Sequence, residues 1–309
     1  VTDEQKRQHH DLLAAITAAH LLMRRFLDRT ALAPANRIRE RAIGQIVTGL
    51  NKILKGNTRA FVKRDREILV RRFIEEAVVP IGEKAESVLE DVGNDSGVEA
   101  ALLLERLFRR VSRLSVTLTD AERRQRLMQA QRAARAITQA QVSRAISQEL
   151  AISVLSRFSD IPITDLKGSD VVSAAAIGLD ESWWKVERVV RTTANSLFNN
   201  AQTVLLEDLA NEPEFAGVRS RWTELVSDST GLPLDNRVGL DSMALHGQVA
   251  RPGRLFVMPP DAPVKSSLIG GSWSHPPNRP NDRAIILPWM PGWNVPTYTM
   301  ERGFRSPVK

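Results

Sequence analysis

The sequence predicts an α+β protein: a mainly helical N-terminal two thirds with long helices, followed by a small, loop-rich α+β module at the C-terminal end. Three observations predict it. Apolar residues recur at three- and four-residue steps through the first half of the chain, the spacing that builds one stripe on a helix. The composition changes near Asp160, and all six Trp and 14 of the 16 Pro lie beyond residue 160. Past residue 212 the apolar runs become short and are separated by Gly, Pro, Asn and Asp, the punctuation of strands and turns. The expected organisation is a basic helical domain over 1–159, a connector and helix over 160–212, a small α+β module over 213–290 and an extended tail over 291–309.

Thr2-Asp3-Glu4-Gln5 resembles a capping box. Leu12, Leu13, Ile16, Ala19, Met23, Phe26 and Leu27 then form the stripe of a first helix, with His20 at its border and without an assigned role. Pro34 is expected to break the chain before a second helix carrying Ile43, Ile46, Val47, Leu50, Ile53 and Leu54. A third helix, with Phe61, Val70, Phe73, Ile74 and Ala77, is expected to end at Pro80, and a short one to span Glu83 to Leu89. Gly93-Asn94-Asp95-Ser96-Gly97 reads as a loop, after which a helix resumes at Val98. There Leu104, Leu107, Phe108 and Val111 face a core, while Arg106, Arg109, Arg110 and Arg113 lie elsewhere. Thr119-Asp120-Ala121-Glu122 reads as a second capping box opening a segment that reaches Phe158 without Gly or Pro. Its stripe, Leu127, Ala130, Ala134, Ile137 and Gln141, is thin, so an intermolecular or coiled-coil contact is expected for this helix rather than a place in the core of a compact domain.

A connector is expected over Ile161–Ser169, then a helix from Ser182 to Ala210. Asn195, Asn199 and Asn200 inside that helix are locally unfavourable, which points to amides used for side-chain hydrogen bonds. Val218–Val226 reads as a strand and Ala244-Leu245-His246-Gly247 as the end of a short helix. Gln248–Ala250 and Leu255–Met258 read as two strands around the Pro252-Gly253 turn, and Ala284–Leu287 as the last strand.

A hydrophobic content of 42% and a charged content of 26% fit a globular protein, and no apolar run approaches the roughly 18 residues that span a membrane. The start of the chain has no apolar signal core, so a secretory leader is not expected. The absence of Cys removes disulfides, thiolate metal sites and cysteine nucleophiles. The net charge of +7 is uneven: residues 1–158 carry 28 Lys and Arg against 19 Asp and Glu, and residues 159–309 carry 15 against 17. Arg123, Arg124, Arg126, Arg132, Arg135 and Arg144 are candidate phosphate contacts. No aromatic interleaves them, so any such contact would be charge-driven, salt-sensitive and indifferent to sequence.

The module carries an ordered set of residues: Arg191-Thr192, Trp222-Thr223, Asp235-Asn236-Arg237, Leu245-His246-Gly247-Gln248-Val249, Phe256, Pro259-Pro260, and His275-Pro276-Pro277-Asn278-Arg279-Pro280-Asn281-Asp282-Arg283. This set resembles the phage head morphogenesis family, the portal-associated minor head proteins typified by the F protein of phage Mu. The resemblance covers about a third of the chain, from Arg191 to Trp289. Asp282 and Ala284 stand where many relatives carry two Cys, Thr193 replaces a frequent Glu, and His246 directly precedes Gly247. Metal or thiol chemistry is therefore not carried over, and no cofactor or metal is expected.

The resemblance implies a structural virion protein in the head interior or at the portal vertex, made in the host cytoplasm. It would be present in multiple copies and bound to the portal protein, the major capsid protein or both, with packaged double-stranded DNA as a further partner and no membrane. Arg191, Thr192, Trp222, Asp235, Arg237, His246, Gly247, Phe256, His275, Asn281 and Arg283 are then structural motif residues, and no residue is assigned as catalytic. The chain shows no Gly-x-Ser-x-Gly elbow, no His-Glu-x-x-His and no phosphate-cradling Gly loop. The alternatives are an enzyme (nuclease, protease or ADP-ribosyltransferase) with a catalytic C-terminal module, or a non-specific DNA-binding protein using its basic helices.

Overall fold

The computed structural model describes residues 3–54, 72–118, 120–159, 168–226, 240–277, 282–293, 298–301 and 304–307. It is an α+β protein, helical through most of its length, with a small sheet-containing C-terminal part. The long helices are α1 (Asp3–Leu27), α2 (Ala33–Leu54), α3 (Val79–Val111), α4 (Ala121–Ser159) and α5 (Gly168–Leu209), and a short helix α6 spans Leu240–Leu245. The strands are β1 (Arg219–Thr223), β2 (Val249–Ala250), β3 (Phe256–Val257), β4 (Ser272–Trp273), β5 (Ile285–Trp289), β6 (Tyr298–Glu301) and β7 (Phe304–Pro307). Among the described residues no helix is long and apolar enough to cross a membrane.

Two proline positions expected to end helices do not end them. Pro34 and Pro80 are each the second residue of a helix that follows a five-residue π-helical turn, Asp28–Leu32 and Ile74–Val78. A proline ring clashes with the carbonyl four residues earlier. Here those carbonyls belong to Thr30 and Glu76, inside the wider turns, where bonding runs to the fifth residue instead. The expected loop at Gly93–Gly97 is likewise helical, within α3. Ser96 is fully buried and donates from Oγ to the Gly93 carbonyl at 3.0 Å. A Cβ on Gly97 would meet Leu127 Cδ2 at 2.7 Å, so the glycine lets α4 approach where a side chain would hold it off. Tertiary packing has overridden local propensity there.

The chain divides into two compact units built from non-contiguous segments, unlike the linear partition expected from composition. Unit 1 comprises Val1–Leu27, Val92–Arg135 and Ala194–Lys309, and unit 2 comprises Asp28–Asp91 and Ala136–Thr193.

Unit 2 is all helix. Its core joins Ala42, Ile46 and Leu50 of α2, Ile81 and Ala85 of α3, Ile146, Leu150 and Val154 of α4, and Leu179, Trp183 and Val186 of α5. In unit 1, Leu127 of α4 is buried and Gln131 Nε2 donates to the Leu197 carbonyl at 3.0 Å. So α4 packs within the chain in both units, against the expectation of an intermolecular core. The side chains of Ala134, Ile137 and Gln141 lie outside the described residues. The cap of α4 is Asp120, whose Oδ1 accepts from the Arg123 N–H at 2.9 Å; Thr119, expected in that place, is outside the described residues.

Close packing in unit 2 depends on Gly82, where a Cβ would lie 2.4 Å from Ser147 Oγ and 2.9 Å from the Ser143 carbonyl. Because the second obstacle is backbone, α3 and α4 must separate to admit it. Gly82→Ala is expected to destabilise unit 2 by about 1–3 kcal/mol, as overpacking usually does. Local hydrogen exchange in α4 checks this, and an unchanged exchange rate would show that the crossing is loose.

Unit 1 holds a three-stranded antiparallel sheet in the order β2-β1-β5. The register pairs Trp222 with Ile286 and Arg221 with both Val249 and Leu287. Leu12 of α1 packs on Val249 and Trp289. The two strands expected as a hairpin around Pro252-Gly253 belong to different sheets, because β2 pairs with β1 and β3 pairs with β4. Gln248 joins them instead: its Oε1 accepts from the Val257 N–H at 2.7 Å and its Nε2 donates to the Val257 carbonyl at 2.9 Å. One side-chain amide thus does what a neighbouring strand would do. The segment expected as an extended tail contains a second hairpin, β6-β7.

Candidate functional site

The polar residues of the C-terminal module that lie within the described set converge on β1. Trp222 anchors them. Its ring is fully buried and meets Phe256 edge to face at 5.4 Å. Its backbone N–H donates to the Gln248 carbonyl, and its carbonyl accepts from the Gly247 N–H, both at 2.9 Å. Gly247 adopts φ 82°, a left-handed conformation that a side chain resists, and this turns the chain from α6 into β2. The Leu245-His246-Gly247-Gln248-Val249 run is therefore a helix end, a turn and a strand start, each tied to Trp222 or Phe256.

Beside this anchor lies a polar seam. Arg221, Thr223, Glu224, Ser242, Asp282, Asn195, Asn199 and His20 are all buried. His246 Nδ1 accepts from the Glu224 backbone N–H at 2.9 Å, so that nitrogen is unprotonated and occupied. Ser242 Oγ lies within hydrogen-bond reach of Glu224 Oε1 and of Asp282 Oδ1, the latter at 2.9 Å, and accepts from Trp222 Nε1 at 3.4 Å. Asp282 Oδ1 also accepts from the Ala284 N–H at 3.1 Å. Arg221 Nη1 donates to Thr223 Oγ1 at 3.0 Å.

From α5, Asn195 Nδ2 donates to the Asp282 carbonyl at 2.8 Å. Asn199 Oδ1 accepts from the Ile286 N–H at 2.7 Å and its Nδ2 donates to the Ala284 carbonyl at 3.2 Å. Asn195 and Asn199 do use their amides, on β5 and the segment just before it.

Burial sets the protonation states. His246 is held neutral, its pKa lowered to about 3 first by desolvation, then by the charge of Arg221 and by His20. His20 is lowered to about 3 by the same two leading causes, burial and then Arg221, opposed by a hydrogen bond to the Thr223 backbone. His275 is lowered by burial, opposed by its bond to Pro276; its Nδ1 donates to that carbonyl at 2.7 Å.

The remaining candidate residues fall into three groups. Asp235, Arg237 and Asn281 lie outside the described residues. Arg191 and Thr192 belong to unit 2, where Thr192 Oγ1 donates to the Arg188 carbonyl of its own helix at 2.7 Å. Arg283 is half-buried and adjoins Asp282 in sequence. Of the candidate phosphate contacts, Arg123 is bound to Glu212 and Asp120, and Arg126 to Asp208, at 3.1 Å, and Glu122. Arg124, Arg132 and Arg144 are exposed, and the side chain of Arg135 is outside the described residues. His20, Arg221, Glu224 and Ser242 were not singled out as site residues from sequence. Of these only His20 carries a sequence signal, a polar residue at the border of the apolar stripe of α1.

Chemically, the hydrogen bonds of the seam tie β1, α5, α6 and the segment before β5 to one another. Ser242 Oγ and His246 Nδ1 are occupied by protein groups, and the serine is fully buried. Among the described residues no group of three or more His, Asp or Glu is placed to hold a metal ion. In comparisons with known proteins, no family model, no curated protein and no solved structure matches this chain.

Proposed function

We propose that this chain is a structural virion protein of the minor head kind, bound to the portal or the inner capsid, with the C-terminal module as its attachment part. The observation that carries the reading is the state of the module's polar residues. Ser242, Glu224 and Asp282 are buried, and His246 and Asp282 accept from backbone N–H groups. An enzyme needs a nucleophile and base that a substrate can reach. An attachment module needs loops held in one shape, and buried hydrogen bonds do that. The ordered motif from Arg191 to Trp289 adds the resemblance to portal-associated proteins.

The test is the composition of purified particles. The chain is expected in them at several copies and in cross-links to the portal ring or the inner capsid. Its absence from the particles sinks the proposal. A second arm separates struts from catalysts. His246→Ala and Asp282→Ala are expected to lower folded yield and particle incorporation together. A variant that folds and is incorporated normally but has lost a hydrolytic or transfer activity would assign the module to chemistry instead.

A further inference from the structure

We infer that an exposed arginine stripe at the C-terminal end of α3 is a docking surface for the phosphate backbone of duplex DNA. Arg106, Arg109 and Arg110 stand at i, i+3 and i+4 on one face of α3, and Arg113 follows two residues past the helix end. All four are exposed, and none makes a hydrogen bond or ion pair among the described residues. The opposite face, Leu103, Leu104, Leu107 and Phe108, is buried. Glu105 sits one turn before Arg109, where an ion pair would ordinarily form. Its Oε1 instead accepts from the Leu118 backbone N–H at 2.6 Å.

The stripe is mounted rigidly. Phe108 meets Phe215 edge to face at 5.1 Å and Trp293 at 6.3 Å. The Ser112 N–H donates to the Phe108 carbonyl at 2.9 Å, and Trp293 Nε1 donates to Ser112 Oγ at 3.2 Å. Arg113 follows at φ 56°, left-handed, the position just past a helix end that favours glycine. An arginine there carries a conformational cost that its charge must offset. The negative end of the helix dipole accounts for the cations of the last turn, Arg109 and Arg110. It does not account for Arg106, which stands before the last turn.

The chemistry of the stripe selects the partner. All four cations are arginines, whose planar forks match phosphate oxygens better than lysine does. No large exposed hydrophobic residue lies between Val98 and Met128, so this stretch of the chain offers no apolar anchor of the kind a protein interface uses. The same stretch carries no exposed aromatic on which a single strand could stack, which favours the duplex backbone. This site differs from the α4 arginines, of which Arg123 and Arg126 are committed to carboxylates.

The test is binding of the full chain to a short mixed-sequence DNA duplex across salt. Four phosphate contacts give a slope of about −3.6 in log affinity against log salt, roughly a hundredfold loss between about 50 and 200 mM. Replacing all four arginines by Gln is expected to lower affinity at low salt by about tenfold or more and flatten the slope, with the fold intact because the residues are exposed. Four lysines should preserve the slope. Arg113→Gly should raise the melting temperature of unit 1 while lowering the slope by about 0.9. Unchanged affinity and slope in the Gln variant overturn the inference, as does absence of binding at about 50 mM salt. Wild type that ignores DNA but captures an acidic protein through these positions overturns it in favour of a protein partner. The inference stands on the stripe alone: a chain that binds DNA this way yet is missing from particles would keep it and sink the virion reading.

Discussion

Asn199→Ala is expected to cost unit 1 about 2–4 kcal/mol, more than most single substitutions of a small polar residue. Asn199 is fully buried in the C-terminal third of α5. Its Oδ1 accepts from the Ile286 N–H and its Nδ2 donates to the Ala284 carbonyl, two backbone groups of one strand edge. β5 has β1 on one side only, so its other edge needs partners that water cannot supply in a buried place. Truncation to Ala leaves the Ile286 N–H without a partner, at about 1–3 kcal/mol, and opens a small void beside it. It also frees Asn195, whose Oδ1 receives from Asn199 Nδ2 at 2.9 Å.

Asn199→Asp should be worse than Ala. It keeps the acceptor for Ile286 but turns an oxygen toward the Ala284 carbonyl and Asn195 Oδ1, and it buries a charge. Hydrogen exchange at the Ile286 amide is the readout, because it reports this strand without requiring both units to melt together. If protection there falls by less than about threefold in the Ala variant, the amide is not what holds the edge.

Asn195 and Asn199 illustrate what the sequence makes legible. An asparagine inside an otherwise apolar helix is costly on its own, so its presence announces a hydrogen-bond partner even before the partner is known. The partner itself, the edge of a strand some 85 residues on, has no local signature. The same limit explains the misread elements. Gly93–Gly97 has loop composition, but Gly97 is there to admit Leu127, a contact that no window of sequence contains. Pro34 and Pro80 read as breaks because π-helical turns leave no periodic trace. Pro252-Gly253 reads as a hairpin turn, and only the bidentate Gln248 reveals that the two strands belong to separate sheets.

The seam was half legible for a related reason. Alternation in β1 suggests one wet face, yet four of its five residues are buried, so Arg221 sits inside where the pattern would put it outside. His20 borders an apolar stripe, and nothing local distinguishes a histidine facing Leu from one facing a buried arginine. By contrast, Trp222, Gly247 and Phe256 were recognisable, because a turn glycine and paired aromatics have few other uses.

That half-hidden seam carries the second large effect, a loss of unit 1 stability on mild acidification. His20 enters from α1, Arg221 and Glu224 from β1 and its C-terminal flank, His246 from the end of α6, and Asp282 from the segment before β5. Both histidines are neutral in the folded state, with pKa values of about 3 against an ordinary 6.5. Below pH 6.5 the unfolded chain takes up protons that the folded chain refuses, so the unfolded state is favoured. The effect is absent above that value and grows as pH falls toward 3, by at most about 1.4 kcal/mol per pH unit for each histidine. His275, also lowered, adds in the same direction.

Geometry gives the same sign. A proton on His246 Nδ1 would face the Glu224 N–H that now donates to it, and a proton on His20 would add charge beside Arg221. Thermal melts between pH 7 and 5 should therefore show a steep fall. His20→Leu, which removes a buried histidine whose Nε2 has no hydrogen-bond partner among the described residues, should remove a substantial part of that slope. A melting temperature that is flat over this range, or a slope that His20→Leu leaves untouched, would mean that the seam admits water and solvates the protonated rings. The two variants thus probe different holdfasts of one sheet. Asn199 guards its outer edge at every pH, whereas the histidines guard the face beneath α1 only while they stay neutral.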